Sequence, residues 1–189
     1  MKETLRILTE AYIGESQARN RYTFYASIAK KEGYIQISQI FETTALQEKE
    51  HASWLFKMIQ DLKEGNEFEV TAKAPLILGD TKENLKSAVE GEMYENKIMY
   101  PDFAKIAKDE GLDSVAKRLE SIAIAEGHHA ERYQKLLTVL EDGSIFKKDK
   151  PVVWVCAECG YVYVGEEPPE LCPSCSHPKG YYYLMNEEY

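Results

Sequence analysis

Two stretches lying 78 residues apart decide the fold: Phe41–Ala52, FETTALQEKEHA, and Leu119–Ala130, LESIAIAEGHHA. Each runs apolar residues at spacings of 3 and 4, as one face of a helix does, and each interrupts that face with Glu-x-x-His, Glu48/His51 and Glu126/His129. Extended both ways, the stripes read Ile37, Phe41, Thr44, Glu48, His51, Leu55 and Val115, Leu119, Ile122, Glu126, His129, Tyr133. Spacing i, i+3 puts a carboxylate and an imidazole one turn apart on the same face.

Two further helices supply the rest of the bundle. One carries Leu8, Tyr12, Glu15, Arg19, Tyr22 and Ala26, the other Leu85, Ala88, Glu92, Glu95 and Met99, so all four aim a carboxylate inward. The periodicity predicts helices near 3–31, 35–63, 81–109 and 113–140, the third capped at Asp80 or Thr81 with Glu83 close behind. The turns KEGY and DEGL are short, whereas KEGNEFEVTAKAPLILGD is long enough to be a crossover.

The chain repeats itself: YTFYASIAKKEG from Tyr22 matches YPDFAKIAKDEG from Tyr100 at the same offset of 78. Gly14-Glu15 matches Gly91-Glu92 at an offset of 77, so the third helix holds one extra residue between Glu92 and Tyr100. An extra helical residue is absorbed most readily as a π-bulge, and Pro101 removes a backbone donor just beyond it.

Five buried glutamates need compensation, because one uncompensated buried ion costs several kcal/mol and a whole domain is stable by only about 5–15 kcal/mol. Arg19 is the one cation near the seam. Metal cations are the economical answer: one Glu from each of two helices and Glu-x-x-His from each of two others is the donor pattern of two-metal bundles. Two divalent ions leave about −1 and two trivalent ions about +1, a balance suited to a redox metal, and oxygen plus imidazole donors fit iron or manganese.

Outside the seam, Glu50, Glu90 and His128 read as solvated or as supports behind the ligands. Tyr22 and Tyr100 fall at equivalent inward positions, either as core aromatics or as hydroxyl donors to ligand carboxylates. Gly127 costs about 1 kcal/mol in a helix relative to alanine. It either opens space beside the metals or faces outward without a role, and the outward reading is the simpler.

At 189 residues and 44% hydrophobic content the chain can bury one core with a small unit left over. A formal charge of −9 with no Lys/Arg-rich block argues against nucleic acid or an anionic membrane as partner. The N-terminus mixes charges into its apolar residues and no spanning segment follows, so the expected address is the cytoplasm. Residues 1–140 read as the helical domain, 141–150 as a polar linker and 151–189 as a β/turn unit too short to hold itself together by burial. Its staple is Cys156-x-x-Cys159 and Cys172-x-x-Cys175, a tetrathiolate signal whose spacing alone does not choose between iron and zinc. An electron-transfer iron makes sense beside a two-metal redox site, where a zinc ribbon would explain only its own folding.

With both elements in view, GESQARNRY, EKEH, GEMYENKIMYPDF, EGHHAERY, VCAECGY and LCPSC closely resemble the rubrerythrin family over nearly the whole chain. The resemblance implies an all-α ferritin-like four-helix bundle followed by a small rubredoxin-like metal domain. It implies a di-iron site at Glu15, Glu48, His51, Glu92, Glu95, Glu126 and His129, and a mononuclear iron at Cys156, Cys159, Cys172 and Cys175. It further implies that His51 and Glu95 exchange at one iron and that Tyr22 and Tyr100 are supporting tyrosines. Similar sequences carry glycine where Ser176 stands here, so a positive φ at that position would add roughly 1 kcal/mol of strain. The implied activity is a peroxidase that reduces hydrogen peroxide to water, with Glu95 shifting or carrying protons. Electrons would come from rubredoxin or an NAD(P)H-dependent reductase, in a head-to-tail homodimer or higher oligomer. The alternatives are an O2-dependent ferroxidase or oxidase, and a non-enzymatic zinc-ribbon protein.

Overall fold

The structure, a computed structural model, describes residues 2–186. Helices α1 (Lys2–Lys31) and α2 (Ile35–Leu62) form one hairpin. The second is made by α3 (Thr81–Tyr94), a π-helical segment (Glu95–Met99) and α4 (Tyr100–Asp109), continuous as the third helix of the bundle, packed against α5 (Asp113–Glu141). The expected extra residue is thus taken up as a π segment, and it begins at Glu95 itself.

The two hairpin turns close identically. Tyr34 N–H reaches Ala29 O at 2.8 Å and Leu112 N–H reaches Ala107 O at 2.8 Å, with Gly33 and Gly111 at φ 85° and 79°. This is the Schellman stop, which needs a left-handed residue that glycine supplies without penalty. At the start of α3, Asp80 accepts from Glu83 N–H while the Glu83 carboxylate accepts from Asp80 N–H, the expected capping box.

Apolar packing falls into two plugs with a polar layer between them. One contains Leu8, Leu55, Phe103 and Leu119; the other contains Tyr25, Phe41, Leu85 and Tyr133. Both α2 and the third helix run from the second plug toward the first, so they are parallel, and residues 63–80 must travel back along the bundle. The crossover inferred from its length is therefore required by helix direction. On its way it is pinned by Tyr25, whose hydroxyl donates to Ile77 O at 2.8 Å.

Beyond α5, strands β1 (Val152–Cys156), β2 (Val162–Gly165) and β3 (Tyr182–Leu184) form an antiparallel sheet in the order β2-β1-β3. Its core is Trp154, Cys156, Cys172 and Tyr182, of which two are thiols. This unit rests on the α1–α2 turn: Gly180 lies so close that a Cβ there would overlap Gly33 O, and Phe146 of the preceding linker stacks on Tyr34 at 6.2 Å. Among the described residues no helix is long and apolar enough to cross a membrane.

Candidate metal centres

Between the plugs, Glu15, Glu48, Glu92, Glu126 and His129 are buried and His51 is half-buried. They fall into two groups, Glu15/Glu48/His51/Glu126 and Glu48/Glu92/Glu126/His129, each with donor atoms within 4.8 Å of one another. Glu48 and Glu126 belong to both groups, as carboxylates shared by two ions would. The sequence repeat becomes a local twofold: Glu15 matches Glu92, Glu48 matches Glu126 and His51 matches His129. Tyr22 donates to Glu92 Oε1 and Tyr100 donates to Glu15 Oε1, so each tyrosine reaches across to the other hairpin.

The contacts cannot be satisfied by protons alone. His129 Nδ1 lies 2.9 Å from Glu126 Oε2, 3.1 Å from Glu48 Oε1 and 3.3 Å from Glu92 Oε2, and His51 Nδ1 lies 2.9 Å from both Glu48 Oε2 and Glu126 Oε1. One ring nitrogen carries at most one hydrogen, so no tautomer serves three carboxylates. Glu15 Oε2 is buried without a hydrogen bond, and each Glu126 oxygen has only an imidazole nitrogen that Glu48 also faces. Orphaned lone pairs converging with imidazole nitrogens fit hard or borderline metal ions.

Protons stand in where cations would sit. Burial alone would lower the His129 and His51 pKa values, but hydrogen bonds to Glu126 and Glu48 push them up to about 12 and about 10. Burial, then repulsion from Glu48, raises Glu92 to about 8 against the opposing pull of His129. For Glu126 burial acts upward, yet the two imidazoles hold it below the usual range.

Arg19 corrects the seam read from sequence. It is exposed and points to Asn20, while Ala18 takes the inward seat, because steps of 3 then 4 suit the helix as well as 4 then 3 and only the small apolar residue tolerates burial. With Arg19 outside, the layer has still less internal cation. Glu95 is half-buried and its carboxylate belongs to neither donor group. Burial, then Glu92, Glu126 and Glu48, push its pKa well up, and Arg21, which the seam overlooked, opposes them. Glu50, Glu90 and His128 are exposed, as expected.

Gly127 corrects both readings given above. It neither faces outward nor leaves space: a Cβ there would fall 2.8 Å from Asn96 Nδ2, so the position is occupied by the Asn96 amide, which donates to Ala123 O at 2.6 Å.

In the sheet unit all four cysteines are free thiols, with Sγ–Sγ separations of 3.7 Å for Cys156–Cys175 and Cys159–Cys172. A disulfide would require about 2.05 Å, whereas a tetrahedron with ~2.3 Å metal–sulfur arms has edges of about 3.8 Å. The two knuckles match: Gly160 N–H and Ser176 N–H donate to Cys156 O and Cys172 O at 2.9 and 2.8 Å, with φ of 75° and 60°. Ser176 therefore does sit in the left-handed region. Burial acts upward on Cys172, but hydrogen bonds led by Tyr182 bring its thiol down to about 6, within reach of the thiolate a metal needs.

A crossover four-helix bundle with a carboxylate–histidine layer, followed by a four-cysteine sheet unit, defines a ferritin-like two-metal protein fused to a rubredoxin-like module. Family comparison agrees: a model described as Rubrerythrin matches residues 6–137, and one described as Rubrerythrin, rubredoxin-like domain matches 154–183. The chain belongs to the rubrerythrin family, with its di-iron carboxylate/histidine site and four-cysteine site. It is 56% identical to a putative rubrerythrin of Methanocaldococcus jannaschii, covering 100% of this chain and 96% of that one. It is 45% identical to the rubrerythrin of Nitratidesulfovibrio vulgaris, covering 95% and 92%. A solved structure of nigerythrin in a partially reduced state superposes with a TM-score of 0.66 at 31% identity, covering 96% of this chain and 86% of that one.

Proposed function

We propose that this protein is a peroxidase that reduces hydrogen peroxide to two waters, consuming two electrons and two protons, in protection against oxidative stress. The observation that carries the reading is the four-cysteine centre on the same chain as the carboxylate layer. A ferroxidase draws electrons from its own ferrous substrate and has no use for a second redox centre, whereas a peroxidase must be re-reduced after every turnover.

In this reading Glu15, Glu48, His51, Glu92, Glu126 and His129 hold two irons, Glu95 adds a ligand at one of them, and Cys156, Cys159, Cys172 and Cys175 hold a third. Irons held there would supply the two electrons that cleave the O–O bond, and the four cysteines would hold the centre through which those electrons are replaced one at a time. Tyr22 and Tyr100 keep their protons, because burial and then Glu92 or Glu15 raise their pKa values well above the ordinary range. As permanent donors they fix one oxygen each of Glu92 and Glu15 and leave the other for metal. Glu95 carries a proton for the reaction, consistent with its raised pKa. The two apolar plugs exclude water above and below, and half-buried His51 and Glu95 leave the way in.

Residues 1–140 act as the catalytic domain and 151–189 as the electron relay, joined by 141–150. The relay rests on the turn at Gly33, 15 residues before Glu48 and just ahead of α2, about 22 Å at 1.5 Å per residue. Transfer within one chain would be long, which supports an oligomer in which the relay serves a partner's layer. The donor is rubredoxin or an NAD(P)H-dependent reductase, and the setting is cytoplasmic. Stopped-flow oxidation of the fully reduced protein tests the reading: peroxide should outpace O2, and the reverse order would make the protein an oxidase.

A further inference from the structure

The local twofold is interrupted at the π segment of the third helix, and there Asn96 makes a contact that, among the described residues, has no counterpart at the matching positions of the first hairpin. Asn96 follows Glu95 in the π segment, and its amide crosses to α5 to donate to Ala123 O at 2.6 Å. The space it enters exists because residue 127 has no side chain; a Cβ would lie 2.8 Å from Asn96 Nδ2 and 3.2 Å from its Cγ. Gly14 and Gly91, the other glycines beside the carboxylate layer, have nothing within 4 Å of the same point, so a missing Cβ matters at 127 and not at those. The repeat partner of Gly127 is Lys49, which is exposed. The contact thus accompanies the π segment rather than the repeat.

We infer that Asn96 and Gly127 are a positioning pair: the Asn96 amide, seated in the gap left by Gly127, bolts the π segment to the α5 turn that carries Glu126 and so sets where Glu95 stands relative to the two donor groups. A π turn is an uncommon geometry that persists where its surroundings hold it. The rest of this segment offers little: Lys97 and Ile98 are exposed and Met99 is half-buried. Released from Ala123, the segment is free to re-register and carry Glu95 with it. The inference rests on the carboxylate layer being a two-metal site and not on peroxide being its substrate.

Asn96→Ala, Gly127→Ala and the double variant test it in two ways. In the metal-free protein, amide hydrogen exchange at residues 95–100 should quicken about fivefold in each single variant, as expected for one lost hydrogen bond. The double should be no faster than Asn96→Ala alone, since Gly127→Ala reaches the π segment only by expelling the amide, its gain in helix propensity being confined to α5. With Co(II) as the probe metal, both variants should load fully but shift the visible bands of the carboxylate site. Unchanged exchange in Asn96→Ala, additive effects in the double, or altered exchange with unmoved Co(II) bands would each overturn the pair as a positioning device. If instead the wild-type protein proves inert to peroxide while the bands shift as described, the functional reading falls and the pair stands.

Discussion

His128 and His129 are adjacent yet differ in kind. His129 is buried with Nδ1 facing three carboxylates, and His128 is exposed. Metal analysis should therefore find His129→Ala depleted in the carboxylate site and His128→Ala fully loaded, with peroxide turnover following metal content. At Tyr22 the expectation is finer: Tyr22→Phe removes the donor to Glu92 Oε1 without removing a metal ligand. Second-layer partners of this kind are worth about 10–100-fold in affinity or activity, and turnover at unchanged metal stoichiometry measures it. The Glu-x-x-His pairs were legible in the sequence because helical spacing alone decides which residues share a face. Arg19 was misplaced because two step patterns fit the same period, and burial chose Ala18. Asn96 and Gly127 were illegible together, since their meeting depends on where the π segment points an ordinary polar side chain.

At the scale of elements, the four helices and the capping box could be read almost to the residue, since start and stop signals are local chemistry. The π segment was predictable as an insertion, but its consequence for Glu95 was not: the altered phase leaves that carboxylate half-buried and outside both donor groups. In the sheet unit, Ser176 at φ 60° occupies the place that Gly160 holds in the other knuckle. Ser176→Gly should stabilise the metal-loaded unit by about 1 kcal/mol, the ordinary cost of left-handed backbone for a residue with a Cβ. Chemical denaturation followed by Trp154 fluorescence reads it, since Trp154 is buried in that small core. A core of two rings and two thiols also implies that chelation unfolds the unit.

For the molecule as a whole, the layer ties stability to metal and pH together. Without metal, His51 is raised from 6.5 to about 10, so its stabilising share is complete below 6.5 and disappears as pH climbs through about 10. Glu92, raised from 4.5 to about 8, adds a penalty that grows as pH passes from 4.5 through about 8. Both act in one direction. The metal-free protein should lose thermal stability as pH rises from about 4.5 to about 10, most steeply between about 6.5 and about 8 where both groups act, and the metal-loaded protein should lose much less, because fixed cations replace the departing protons. Whether the tetrathiolate feeds the carboxylate layer is decided by adding peroxide to the fully reduced, iron-loaded protein while following the visible absorption of the tetrathiolate iron. This absorption should grow in after the di-iron site has been oxidised and should depend on that oxidation. A tetrathiolate iron that stays ferrous while peroxide is consumed, or a colourless zinc-filled site, would contradict it.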